Sequence, residues 1–127
     1  MSRSPWWYGV VLFPLVLLLE GLSRFGSRTF IATSSAPGEP NIGVGIASFV
    51  LTVAAFWGGI VVALVVLVCL IADIRALSGE GTWSPSPVWG LAGLVHLAGA
   101  VFSVVLVLSV PVLSYYLYRR HDRVGTP

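Results

Sequence analysis

An all-α integral membrane bundle of three spanning helices, at about 5–23, 43–74 and 87–118, is the fold the sequence predicts. Three observations carry this reading. Residues 42–72 and 81–118 contain no Asp, Glu, Lys or Arg, and a shorter charge-free run, 4–19, precedes them. The 127-residue chain is 57% hydrophobic and 9% charged, and its mean hydropathy is +0.94. So little polar surface does not suit a soluble domain. In hydrocarbon every backbone N–H and C=O must be satisfied within its own segment, so long apolar runs read as spanning helices, here in a single transmembrane domain.

The first helix is expected over 5–23. Pro5 suits a first turn, and Pro14 removes a hydrogen bond to the Val10 carbonyl and should bend the helix. Arg24 and Arg28 follow the apolar run and no A-x-A site closes it, so the segment reads as an anchor rather than a cleaved signal. Glu20 and Arg24 are four apart in the favourable order for an ion pair at a helix end. The stretch 24–42 contains Ser34-Ser35-Ala36-Pro37-Gly38-Glu39-Pro40-Asn41 and is expected to be a partly irregular loop.

The second helix is expected over 43–74 and the third over 87–118, with Ser86 as N-cap and Pro87 at the first helical position. Each would be about 45 Å long against a hydrocarbon core of about 30 Å, so a turn or two should protrude. Splitting the third into a hairpin would leave two short halves with no turn residues between them, which favours one continuous span. Pro111 is its expected bend. A short loop, 75–86, and a basic tail, 119–127, complete the chain.

With three spans the termini lie on opposite sides. Arg3 and Arg75 then share one side, and Arg24, Arg28, Arg119, Arg120 and Arg123 the other, which predicts N-terminus out and C-terminus in across a cell membrane. Trp6, Trp7, Tyr8, Trp83 and Trp89 would form the outer interface. Tyr115, Tyr116 and Tyr118, with Arg119 and Arg120, would form the inner one.

Small residues supply the packing signal. Ser48, Thr52, Ala55, Gly59 and Ala63 recur every three or four residues, and Ala92, His96, Gly99 and Ser103 form a second stripe. Such faces let helix backbones approach closely, so both should look inward, with Gly59→Leu disturbing fold or assembly. His96 is the one ionisable side chain well inside a span. A neutral imidazole bonded to a carbonyl or hydroxyl is the plain reading. A pH switch, or a haem or metal site between protomers, is the functional alternative.

Chemistry is otherwise sparse. The acids are scattered, no nucleophile sits beside a base, and the lone Cys69 makes neither a disulfide nor a metal knuckle. Gly43-x-Gly45-x-x-Ser48 lacks the strand and third glycine of a dinucleotide fingerprint. The net charge of +2 comes from arginines spread between helix ends, which excludes a nucleic-acid face. No catalytic residue, metal ligand or cofactor is assigned.

The segments Ala72-Asp73-Ile74-Arg75-Ala76 and Trp83-Ser84-Pro85-Ser86-Pro87, and the ending from Tyr115-Tyr116-Leu117-Tyr118 through Arg119-Arg120-His121-Asp122-Arg123, resemble the C-terminal part of small multi-pass membrane proteins of halophilic archaea. The resemblance implies an archaeal plasma membrane and no activity. The expected function is a non-enzymatic accessory or scaffolding subunit whose partners are the bilayer, a second copy or a larger membrane protein. A small homo-oligomeric channel with His96 on its polar face is the alternative.

Overall fold

The computed structural model describes residues 4–81 and 83–125, which are mostly helical and contain no strand. The elements are α1 (Trp7–Val10), α2 (Phe13–Ser35), α3 (Ile42–Glu80), α4 (Trp89–Val101) and α5 (Leu106–Val124), with a single 3-10 turn at Ser103–Val105. Two helical stretches are long and apolar enough to cross a membrane, Trp7–Ser35 with its internal break and Ile42–Glu80; α4 is apolar but shorter.

The break between α1 and α2 lies at Val11 and Leu12, where Pro14 cannot donate to Val10. The backbone tightens there: Leu12 N donates to Gly9 O at 3.2 Å and Leu15 N to Leu12 O at 2.9 Å. Beyond it, α2 runs twelve residues past the expected end at 23, to Ser35. The arginines at 24 and 28 do not stop the helix because its inner face continues. Gly26 lies against Ser48 and Thr52, and the Phe30 ring packs 5.9 Å from that of Phe49. The irregular connection thus shrinks to residues 36–41.

Asn41 caps α3 by accepting from Val44 N at 3.1 Å. At the other end Gly81 terminates it with φ +75°, a left-handed conformation that favours glycine. The helix therefore covers the expected 43–74 and runs on to Glu80. Ser86 Oγ does accept from Val88 N, at 3.3 Å, although α4 begins only at Trp89.

The third expected span is not one helix. At Phe102 the backbone leaves the helical region (φ −114°, ψ 93°), and α5 folds back antiparallel on α4. His96 Nδ1 and Ser109 Oγ, 13 residues apart in sequence, come within 2.9 Å; in a straight helix they would be about 20 Å apart. The turn needs no proline. Gly99 leaves room for Leu106 to sit against the backbone, and Arg24 Nη2 donates to Ser103 Oγ at the tip. Pro111 lies within α5, which continues through it to Val124, so residues 119–124 are helix rather than tail.

The result is four antiparallel segments with α3 at the centre. Val10, Phe13, Val66, Leu70, Ile74, Ala92, Leu113 and Tyr116 form one core cluster. Val16, Ala63, Ala100 and Leu106 form a second. The first and last parts of the described chain lie at the same end, since Arg120 Nη2 donates to the Ser4 carbonyl at 3.3 Å. That overturns the expectation of opposite-sided termini. At the other end α2 and α3 continue beyond the α4–α5 tip as an unaccompanied hairpin.

Candidate functional site

The buried face of α3 continues the small-residue stripe: after Ala63 come Val66, Leu70, Asp73 and Leu77, at helical spacing. The buried face of α5 runs Leu106, Ser109, Leu113, Tyr116, Arg120 and Val124. Where these faces meet near the termini, an acid and a base come together. Asp73, Tyr116 and Arg120 are each 0% exposed and Ser4 is 5% exposed.

Asp73 is fully engaged. Its Oδ2 accepts from Arg120 Nε at 2.7 Å and from Tyr116 Oη at 2.6 Å. Its Oδ1 accepts from Arg120 Nη2 at 2.9 Å and from Ser4 Oγ at 2.7 Å. The guanidinium thus grips the carboxylate through two parallel bonds, the geometry in which arginine exceeds lysine. This cluster fastens the N-terminal segment, α3 and α5 to one another. Among the described residues no buried side-chain nitrogen or oxygen lacks a partner.

His96, also 0% exposed, forms the second polar contact. Its Nε2 lies 3.1 Å from the Phe13 carbonyl oxygen, which can only accept, so Nε2 carries a proton. In the neutral ring Nδ1 then accepts from Ser109 Oγ. The imidazole ties α2, α4 and α5 together, with the Phe13 ring edge-on at 6.0 Å. His96→Phe keeps the ring and removes both bonds. We expect it to cost about 1–3 kcal/mol, read as a lower unfolding temperature in detergent, with Ser109→Ala costing less.

The packing residues read from sequence fall as follows. Ser48, Ala55, Gly59, Ala63, Ala92, His96 and Gly99 are buried, and Thr52 and Ser103 are half-buried. Ser48 Oγ donates to Gly45 O at 3.1 Å and Thr52 Oγ1 to Ser48 O at 2.7 Å. The tightest approaches are made at Gly9, Gly26, Gly93 and Gly99, of which Gly99 alone belongs to the predicted stripes. Gly9 abuts Cys69 and Gly93 abuts Leu67; a Cβ on Gly59 would still be 3.8 Å from Leu19.

The aromatic residues need a larger correction. Trp83 and Trp89 lie 6.0 Å and 5.4 Å from Tyr116, and Trp89 lies 5.8 Å from Tyr115, so the two expected girdles occupy one end. The fold-back of α5 brings them together. Trp6, Tyr8, Tyr115 and Tyr118 are exposed, and Trp7, Trp83, Trp89 and Arg119 are half-buried. Tyr116 and Arg120 are interior groups rather than interfacial ones. Extending the stripe from Ala63 by threes and fours reaches Asp73, and Tyr116 and Arg120 are four apart; that periodicity is the signal that marks them as inward-facing.

No group of three or more His, Cys, Asp or Glu side chains suited to a metal occurs among the described residues. A groove of about 700 Å³ lies between α4 and α5 and is lined by Val88, Trp89, Leu91, Val95, Leu108 and Val112 among others. It carries no charged side chain. Compared with known proteins, the chain matches no protein-family model, no curated protein and no solved structure.

Proposed function

We propose that the chain is a multi-pass integral membrane protein, a non-enzymatic accessory subunit that works by packing against a membrane-embedded partner. The observation that carries this reading is the division of its surface. Polar groups are closed on one another inside, while large apolar side chains face outward on every long helix: Leu18 60%, Trp57 60%, Val68 60%, Val107 72% and Leu108 66% exposed. Apolar surface on that scale calls for lipid or protein cover. From Trp7 to Arg24 along the first helical segment is about 26 Å, close to the hydrocarbon thickness of about 30 Å.

The small-residue faces are occupied within the chain, so a partner would meet other surfaces. Past Arg24 the α2–α3 hairpin presents Phe25, Ile31, Ile46, Phe49 and Val50, all more than half exposed, without cover from α4 or α5. A homo-oligomeric channel is less well supported. Ser48 and Thr52 bond to carbonyls of their own helix, His96 engages Phe13 and Ser109, and Ser103 engages Arg24. Purification in mild detergent at native expression, with mass spectrometry of what accompanies the chain, tests the reading. A reproducible stoichiometric partner supports it; a pure homo-oligomer with ion flux overturns it.

Both termini belong in the cytoplasm on this reading. Arg75, Arg119 and Arg123 sit at the termini end, with Arg3 just ahead of Ser4 in sequence, against Arg24 and Arg28 towards the other end. In a Cys69→Ala background, Ser84→Cys and Asp122→Cys should resist an impermeant maleimide in intact cells, while Glu39→Cys reacts. Labelling of position 122 but not 84 would contradict this topology. An archaeal cell membrane as the location rests on the C-terminal resemblance alone.

A further inference from the structure

We infer that Arg75 anchors a bound anionic phospholipid, with its phosphate on the guanidinium and its chains in two clefts that meet there. The inference rests on the membrane reading above. Asp73 and Arg75 are two residues apart, hence about 200° around α3; Asp73 is buried and Arg75 exposed. Arg75 makes no hydrogen bond or ion pair among the described residues. An unpaired cation at the edge of an apolar belt invites an anion, and polar lipid heads lie at that depth.

The surrounding surface is shaped for the rest of a lipid. One cleft, about 470 Å³, runs between α3 and the start of α4, where Pro87 and Gly90 form its far wall. The second, about 410 Å³, lies along Val68 and Ala72. Ile71 and Arg75 line both, so the two clefts adjoin at one arginine. Ser78, one turn on, lines the far end of the first cleft with its hydroxyl donating to the Ile74 carbonyl at 2.8 Å, which leaves Arg75 as the donor for a phosphate. The larger α4–α5 groove has no such charge to select its occupant.

The glycine at position 90 makes the idea separable from folding. A Cβ there would meet Ile71 at 3.9 Å, an ordinary contact, so Gly90→Leu should fill the cleft without displacing α4. The test is native mass spectrometry of the full chain in detergent, titrated with phosphatidylglycerol or phosphatidylcholine. The wild type should hold one phosphatidylglycerol per chain in preference to phosphatidylcholine. Arg75→Gln should weaken it about fivefold, Gly90→Leu should lower retention with Arg75 intact, and Arg28→Gln should change nothing. Equal affinity for the two lipids, or full retention by Arg75→Gln, would overturn the proposal while leaving the membrane reading in place. Recovery of the chain from cells without detergent would instead overturn the membrane reading.

Discussion

Asp73→Asn should destabilise the protein by about 3–5 kcal/mol, because it leaves the Arg120 guanidinium buried without its counter-charge. Both side chains of the pair are 0% exposed, so solvent does not screen the loss. Arg120→Met should also be severe, though less so, since an uncompensated Asp73 can take up a proton and keep its bonds to Ser4 and Tyr116. The double variant, Asp73→Asn with Arg120→Met, removes both charges together and should cost less than the sum of the single changes. Thermal unfolding in detergent, followed by size-exclusion chromatography to count the folded fraction, measures all three. Additive losses would mean that the two residues do not act as a pair.

The same pair selects the topology. If α4 and α5 formed one straight helix, Arg120 would lie about 46 Å along it from Trp89, far from the end of α3. Only with α5 folded back does the guanidinium reach Asp73. A buried ion pair is weak as a source of stability but penalises arrangements that leave either charge unmatched in an apolar interior. Topology should therefore be the second readout. In Asp73→Asn membranes, a cysteine at 122 that becomes reactive from outside would show α5 escaping the hairpin.

The second helix was legible over 43–74 from its charge-free run, although it continues to Glu80. Residues 24–35 were not, because Arg24 and Arg28 resemble an interfacial stop and the contacts that continue the helix, Gly26 on Ser48 and Phe30 on Phe49, are made to α3. The turn at Phe102 carries no glycine or proline at its centre and depends on tertiary partners: Arg24 on Ser103 and His96 on Ser109. Asp73 and Arg120 are 47 residues apart. Each alone resembles a helix-edge charge, and their pairing exists only once the fold-back is known.

Gly26→Ala and Gly59→Ala should shift stability in opposite directions. Gly59 lies on the stripe that sequence periodicity singles out, yet a Cβ there would meet only the Leu19 Cβ, at 3.8 Å. With space available, alanine should stabilise by about 0.5–1 kcal/mol by restricting the unfolded chain. Gly26 is different in kind. A Cβ would stand 2.9 Å from the Ser48 carbonyl oxygen and 3.0 Å from Thr52 N, both backbone atoms that cannot rotate away. Helices α2 and α3 would have to separate, also disturbing the Ser23 Oγ bond to the Thr52 carbonyl, 3.2 Å. Overpacking of this type costs about 1–3 kcal/mol. Paired thermal scans of the two variants in one detergent would read the difference directly. An unchanged Gly26→Ala would mean that the α2–α3 contact is looser than backbone against backbone.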